Sequence, residues 1–73
     1  MSSKETVKIL LVKRDMTVKT LAEKLTEATG RKCSRQNLSN KINRSSINFD
    51  EMEDIAKILG YRIEFIDIEN GRD

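Results

Sequence analysis

Apolar residues recur at helical spacing along most of this chain. Val7, Leu10 and Leu11 fall at i, i+3 and i+4 and predict a first helix with these three as its buried stripe. Ile9 falls off the stripe and is expected to be half exposed. Ser2 and Glu5 have capping-box spacing, so this helix should start at Ser2 or Ser3 and fade around Arg14 and Asp15. Leu21, Ala22, Leu25 and Ala28 continue the period in a second helix, capped by Thr17, with Met16 stapling onto Leu21. Gly30 then reads as a left-handed stop. Phe49, Met52, Ile55, Ala56 and Leu59 predict the inner face of a further helix. Asn48 with Glu51 repeats the capping-box spacing, Ile47 can staple to Met52, and Gly60 reads as the stop. Asp50, Glu51, Glu53 and Asp54 crowd its first turns, where the helix dipole favours anions.

After Gly60 the pattern changes. Tyr61 to Ile68 is aromatic and β-branched with rough alternation, and predicts a strand, followed by a frayed end at 69–73. There is no internal repeat, low-complexity tract or linker, so one domain is expected. Residues 1–60 form its helical body, and residues 61–73 its C-terminal strand and tail.

The stretch between the second helix and Ile47 is different in kind. From Ser34, a good N-cap, to Arg44 only Leu38 and Ile42 are apolar, four residues apart and therefore on one helical face. Gln36, Asn40 and Asn43 project on the opposite side. Amides and guanidinium groups are the side chains that make bidentate hydrogen bonds to base edges in a DNA major groove. A solvated surface helix is the plain alternative.

Composition narrows the choice. A chain of 73 residues supports one modest core, and domains of this size bury only about 60% of their unfolded surface, so partner burial would help. The net charge of +2 hides an asymmetry: residues 1–48 carry eleven Lys/Arg and four Asp/Glu, whereas residues 49–73 carry three and eight. A basic front of this sort faces a polyanion or is merely soluble. Cys33 is the single cysteine and histidine is absent, so neither an internal disulfide nor a usual Cys/His metal site is expected. Cys33 reads as a small buried hydrophobe, or as a reactive thiol beside Arg31 and Lys32. No apolar run suits a membrane span, Met1–Glu5 shows no leader, and the expected location is cytoplasmic.

No catalytic chemistry is expected, since there is no histidine, no glycine-rich phosphate loop and no nucleophile–base pair at a recognisable spacing. The acidic cluster lacks the glycine and ligand spacing of a calcium loop. No metal, cofactor or small-molecule ligand is therefore assigned.

The order of elements resembles the Cro/C1-type (lambda repressor-like) helix-turn-helix family of phage repressors and bacterial regulators. The resemblance covers roughly Val7 to Tyr61. It is carried by Met16–Leu25 (MTVKTLAEKL), Ser34–Arg44 (SRQNLSNKINR) and Ile55–Gly60 (IAKILG). Val18 stands where the family often has glutamine, and the turn between the second and third helices is longer than usual, with Leu25 and Leu38 thirteen positions apart. The resemblance implies an all-α, four-helix domain. It implies base contacts from Arg35, Gln36, Asn37 and Asn40, and backbone contacts from Thr17, Lys19, Lys41 and Arg44. Arg31 and Lys32 in the lengthened turn can add phosphate contacts.

The function expected from these features is sequence-specific binding of double-stranded DNA by a transcriptional regulator, phage- or mobile-element-like, that acts as a repressor by occupying its site. A homodimer is expected through the strand, with Tyr61, Ile63, Phe65, Ile66 and Ile68 in the contact. The alternative is a protein-interaction module on the same fold, such as an antirepressor or an antitoxin-like partner. The lengthened turn and acidic tail favour that alternative.

Overall fold

The computed structural model describes residues 2–69. It contains four helices, α1 (Ser3–Lys13), α2 (Val18–Thr29), α3 (Arg35–Asn43) and α4 (Phe49–Ile58). The protein is all-α. The end expected to fray, 70–73, lies outside the described residues.

Short-range hydrogen bonds define where each helix begins. The Ser2 hydroxyl accepts from the Glu5 amide at 3.2 Å while the Glu5 carboxylate accepts from the Ser2 amide, closing a capping box. Asn48 and Glu51 do the same at α4, at 2.8 and 3.0 Å. Thr17 accepts from the Thr20 amide and Ser34 from the Asn37 amide. Each cap satisfies an amide that has no partner within its own helix.

The helix ends are equally well defined. Asp15, Ser45 and Gly60 follow α1, α3 and α4 in the left-handed region, at φ 52°, 52° and 85°. After each, the next amide bonds back to the carbonyl five positions earlier: Met16 to Leu11, Ser46 to Lys41 and Tyr61 to Ala56. This is the Schellman arrangement, which satisfies the last carbonyls. Gly30 closes α2 at φ 73°, a conformation that a side chain would make costly.

Helix α2 packs on α3 and α4, and α1 packs on α3. Their meeting faces form one core: Val7 and Leu11 from α1, Leu21, Ala22 and Leu25 from α2, Leu38 and Ile42 from α3, and Ile55 and Leu59 from the α4 region. Met16, Ile47, Met52 and Cys33 pack partly buried around its margin.

Three expectations about packing need correction. Ala28 is exposed, on an open surface shared with Lys24, Glu27 and Ile58, because no neighbouring element covers it there. Phe49 is 52% exposed. It opens α4 at the first helical position, and its ring stacks on Phe65 (centroids 6.3 Å apart, planes 16°) rather than entering the core. The third correction is the larger one: Tyr61–Ile68 is not a strand. Residues 61–66 have no regular secondary structure, Asp67 occupies an isolated bridge position and Ile68 begins a turn. A strand needs a ladder partner for its amides and carbonyls, and among the described residues no other segment is extended enough to provide one.

The start of this segment is nonetheless held. The Arg14 Nε donates to the Leu59 carbonyl at 2.7 Å, and its guanidinium lies over the Tyr61 ring, 4.3 Å from the centroid. One side chain from the end of α1 thus satisfies a carbonyl at the end of α4 and fixes where the chain leaves the helices.

Candidate nucleic-acid interface

Helix α3 is built to present its polar side. Leu38 and Ile42, 3% and 2% exposed, pin one face to the core. Arg35, Gln36, Asn37 and Asn40 are all exposed. Gln36 and Asn40 are one turn apart and joined, the Gln36 Nε2 donating to Asn40 Oδ1 at 3.3 Å. Both side chains are exposed, so the donors and acceptors that this bond leaves over are open to solvent. Arg35 sits on the flank of this pair, just after the Ser34 cap.

The turn before α3 is held by two threonines. Thr26 Oγ1 accepts from the Cys33 amide at 2.9 Å, and the same hydroxyl lies 3.0 Å from the Ala22 carbonyl. Thr29 Oγ1 donates to the Leu25 carbonyl at 2.8 Å and accepts from the Arg31 amide at 3.2 Å. The connection between α2 and α3 is therefore a built element, bonded to the last coils of the twelve-residue α2. It carries Arg31 and Lys32 exposed at its crest and Cys33 half-buried against the core.

Arg31, Lys32, Lys41 and Arg44 line one side of a cleft of about 540 Å³, together with Asn37 and Asn40. Leu25, Cys33, Leu38 and Ile55 contribute its apolar lining, and Asp50, Glu51 and Asp54, at the start of α4, its acidic side. The two charged sides meet at one point, where the Lys41 ammonium forms an ion pair with the Glu51 carboxylate. The hydrogen bond from Lys41, and next the one from the Asn48 amide, hold the Glu51 carboxyl below its usual range.

The other two assigned phosphate ligands lie elsewhere. Thr17 and Lys19 open α2, and roughly 18 Å of helix separates them from Arg31 and Lys32. The Thr17 hydroxyl is engaged in the cap and bonds the Thr20 hydroxyl at 3.1 Å, whereas Lys19 is exposed. Among the residues assigned to dimer contact, Tyr61 is set apart by its place against Arg14. Ile63, Phe65, Ile66 and Ile68 are exposed.

Two side chains that join separate elements of the fold carry no sequence signal for what they do. Arg14 bonds a residue 45 positions away. Glu51 is legible as a cap through its spacing from Asn48, but its contact with Lys41 spans ten positions and joins two helices.

The fold and site define a small domain of four capped helices with an amide- and cation-bearing third helix. The chain belongs to the DUF6471 family, described as a domain of unknown function, which it matches over residues 2–63. No curated protein and no solved structure matches it. The matched span takes in all four helices and the Arg14–Tyr61 contact, and leaves Phe65 to Ile68 outside.

Proposed function

We propose that this domain binds double-stranded DNA in a sequence-specific manner, in the manner of Cro/C1-type helix-turn-helix regulators, and acts on transcription by occupying its site. The observation that carries this reading is the make-up of α3. Two buried pins fix it, while Arg35, Gln36, Asn37 and Asn40 are exposed together on a rigid, capped element. Side chains of these types discriminate base pairs, and contacts from cations supply affinity without regard to sequence. Lys19, Arg31, Lys32 and Arg44 are exposed cations suited to phosphate, and the Thr17 cap places a hydroxyl and a helix N-terminus nearby. The function is binding, with no chemical step.

The active unit is proposed to be a homodimer, because one short helix reads few base pairs, and paired half-sites need two copies. The contact is formed by apolar side chains of the segment after α4, chiefly Phe65, Ile66 and Ile68, without strand pairing.

Selection from a random duplex pool, followed by titration of selected and scrambled sites at several salt concentrations, tests the proposal. An enriched two-fold site is expected. Gln36→Ala and Asn40→Ala should lose about 1–3 kcal/mol of discrimination each, while Arg44→Ala weakens all sequences alike and lowers the salt slope by about 1. A folded protein that binds no duplex at low salt removes the reading.

A second reading, a protein-interaction module, is favoured by the same exposed segment, where Phe65 and Ile68 are 85% and 91% exposed. A partner complex indifferent to salt, with no duplex binding, is its signature.

A further inference from the structure

We infer that Glu51 restrains the sequence-blind affinity of the domain: its carboxylate occupies the Lys41 ammonium that a phosphate beside α3 would otherwise take, and thereby weakens binding to DNA through the backbone. The inference rests on the proposed DNA-binding function and deepens it. Lys41 and Glu51 are joined across the cleft between α3 and α4, with side chains 48% and 29% exposed. An ion pair so open to solvent is weak and reversible. A phosphate competing for Lys41 therefore does not meet a locked partner. It meets a carboxylate that repels it at short range, with Asp50 and Asp54 lining the same side of the cleft.

The base-reading amides are neutral: Asn37 and Asn40 line the cleft as amides, and Gln36 lies outside its lining. Gln36 bonds to Asn40, and neither bonds to Glu51. The acidic side thus acts on the charge-driven, sequence-blind part of binding.

Glu51 also closes the α4 capping box, and glutamine can do so equally well. Glu51→Gln therefore removes the charge and keeps the fold. The full chain and its E51Q, E53Q and K41A/E51Q variants are titrated with random-sequence duplex over a range of salt, with thermal melts confirming that each is folded. E51Q is expected to tighten binding at low salt by about threefold or more, and to steepen the salt slope by close to 0.9, the value of one further phosphate contact. The gain should disappear in K41A/E51Q, because Lys41 is the group released. E53Q makes the same change in net charge from the side of α4 away from the cleft, two residues on, and should give less than half the effect.

An E51Q protein that binds as the wild type does overturns the inference and leaves the DNA-binding function standing. So does a gain that survives loss of Lys41 or is equalled by E53Q, since bulk charge then accounts for it. Failure of the folded wild type to bind duplex at low salt overturns both.

Discussion

The helical body and the segment that follows it carry similar apolar side chains and treat them in opposite ways. In residues 3–59, leucines, isoleucines and valine recur at helical spacing, and the faces they form are buried against one another. In residues 62–69, three isoleucines and a phenylalanine are all exposed. The difference is one of backbone satisfaction as much as hydrophobicity. A helix bonds its own amides and so can commit a whole face to the core. An extended segment must find its hydrogen bonds elsewhere, and after Gly60 the body has no open edge to give it. Apolar content alone does not make a core; it must come with a backbone that is already paired.

The strongest way to break this comparison is at Leu38. It is one of two apolar residues holding α3, and truncating a buried leucine costs about 2–5 kcal/mol. A domain of this length has roughly 4–11 kcal/mol in all. Leu38→Ala is therefore expected to unfold much of the population or to lower the urea midpoint drastically. An unfolding curve close to that of the wild type would mean that α3 is not pinned through this face.

Arg14 tests the joint between the two regions. Its bond to the Leu59 carbonyl and its contact with Tyr61 are the connection that fixes the exit of the chain. Charged hydrogen bonds contribute about 1.5–3 kcal/mol and an exposed cation–π contact about 0.5–1, so Arg14→Ala should cost about 2 kcal/mol. Arg14→Lys keeps the charge but not the Nε geometry and should fall between. Thermal melts resolve the series, since 1 kcal/mol moves the midpoint by about 4–8 °C at this size. Equal melting of all three proteins would make the clamp decorative.

The same contrast explains what could be read from the residues alone. Ser2 with Glu5, Thr17, Ser34, and Asn48 with Glu51 act over three positions, so their spacing discloses the helix starts. Gly30 and Gly60 disclose two ends for the equally local reason that a left-handed residue favours glycine. Asp15 and Ser45 adopt that conformation without being glycine, and only the fading of α1 near Asp15 was legible. Ala28 and Phe49 satisfy the helical period yet lie outside the core, because the period says which side a residue takes and not how far a neighbour extends. Tyr61–Ile68 has the composition of a strand, but composition does not supply a partner. The exposure of Arg35, Gln36, Asn37 and Asn40 followed from the two apolar pins, whereas the engagement of Lys41 by Glu51 depends on how α3 and α4 pack.

A smaller effect marks the electrostatics of the body. The Glu51 carboxyl is lowered in the folded protein, principally by Lys41, so the group adds stability above its unfolded value of 4.5. That contribution is lost as the pH falls through the lowered folded value. Because the pair is partly exposed, it amounts to about 1 kcal/mol or less. Denaturant unfolding of wild type and E51Q from about pH 6 to about pH 3 should show the two curves converging as pH falls. A difference that stays constant with pH would assign the effect of the substitution to packing instead.

The smallest effect on stability, and the sharpest test of the comparison, comes from the segment itself. Phe65 and Ile68 are exposed, and Phe65 touches the body through its stack on Phe49, itself half in solvent. Replacing both with serine removes large apolar surface that the isolated fold does not bury, so the unfolding midpoint should move by about 0.5 kcal/mol or less. Self-association should respond differently. If two copies meet through these side chains, the contact loses its apolar centre, and the double variant should sediment as a monomer at concentrations where the wild type is a dimer. Unfolding of the body by these substitutions would show that the segment is part of the core and that the contrast between the two regions is false. A variant that still dimerises would move the contact elsewhere, and α1 offers the next exposed apolar pair, Ile9 and Val12, one turn apart on its outer side. Substituting that pair in turn would then decide which face of the body the second copy covers.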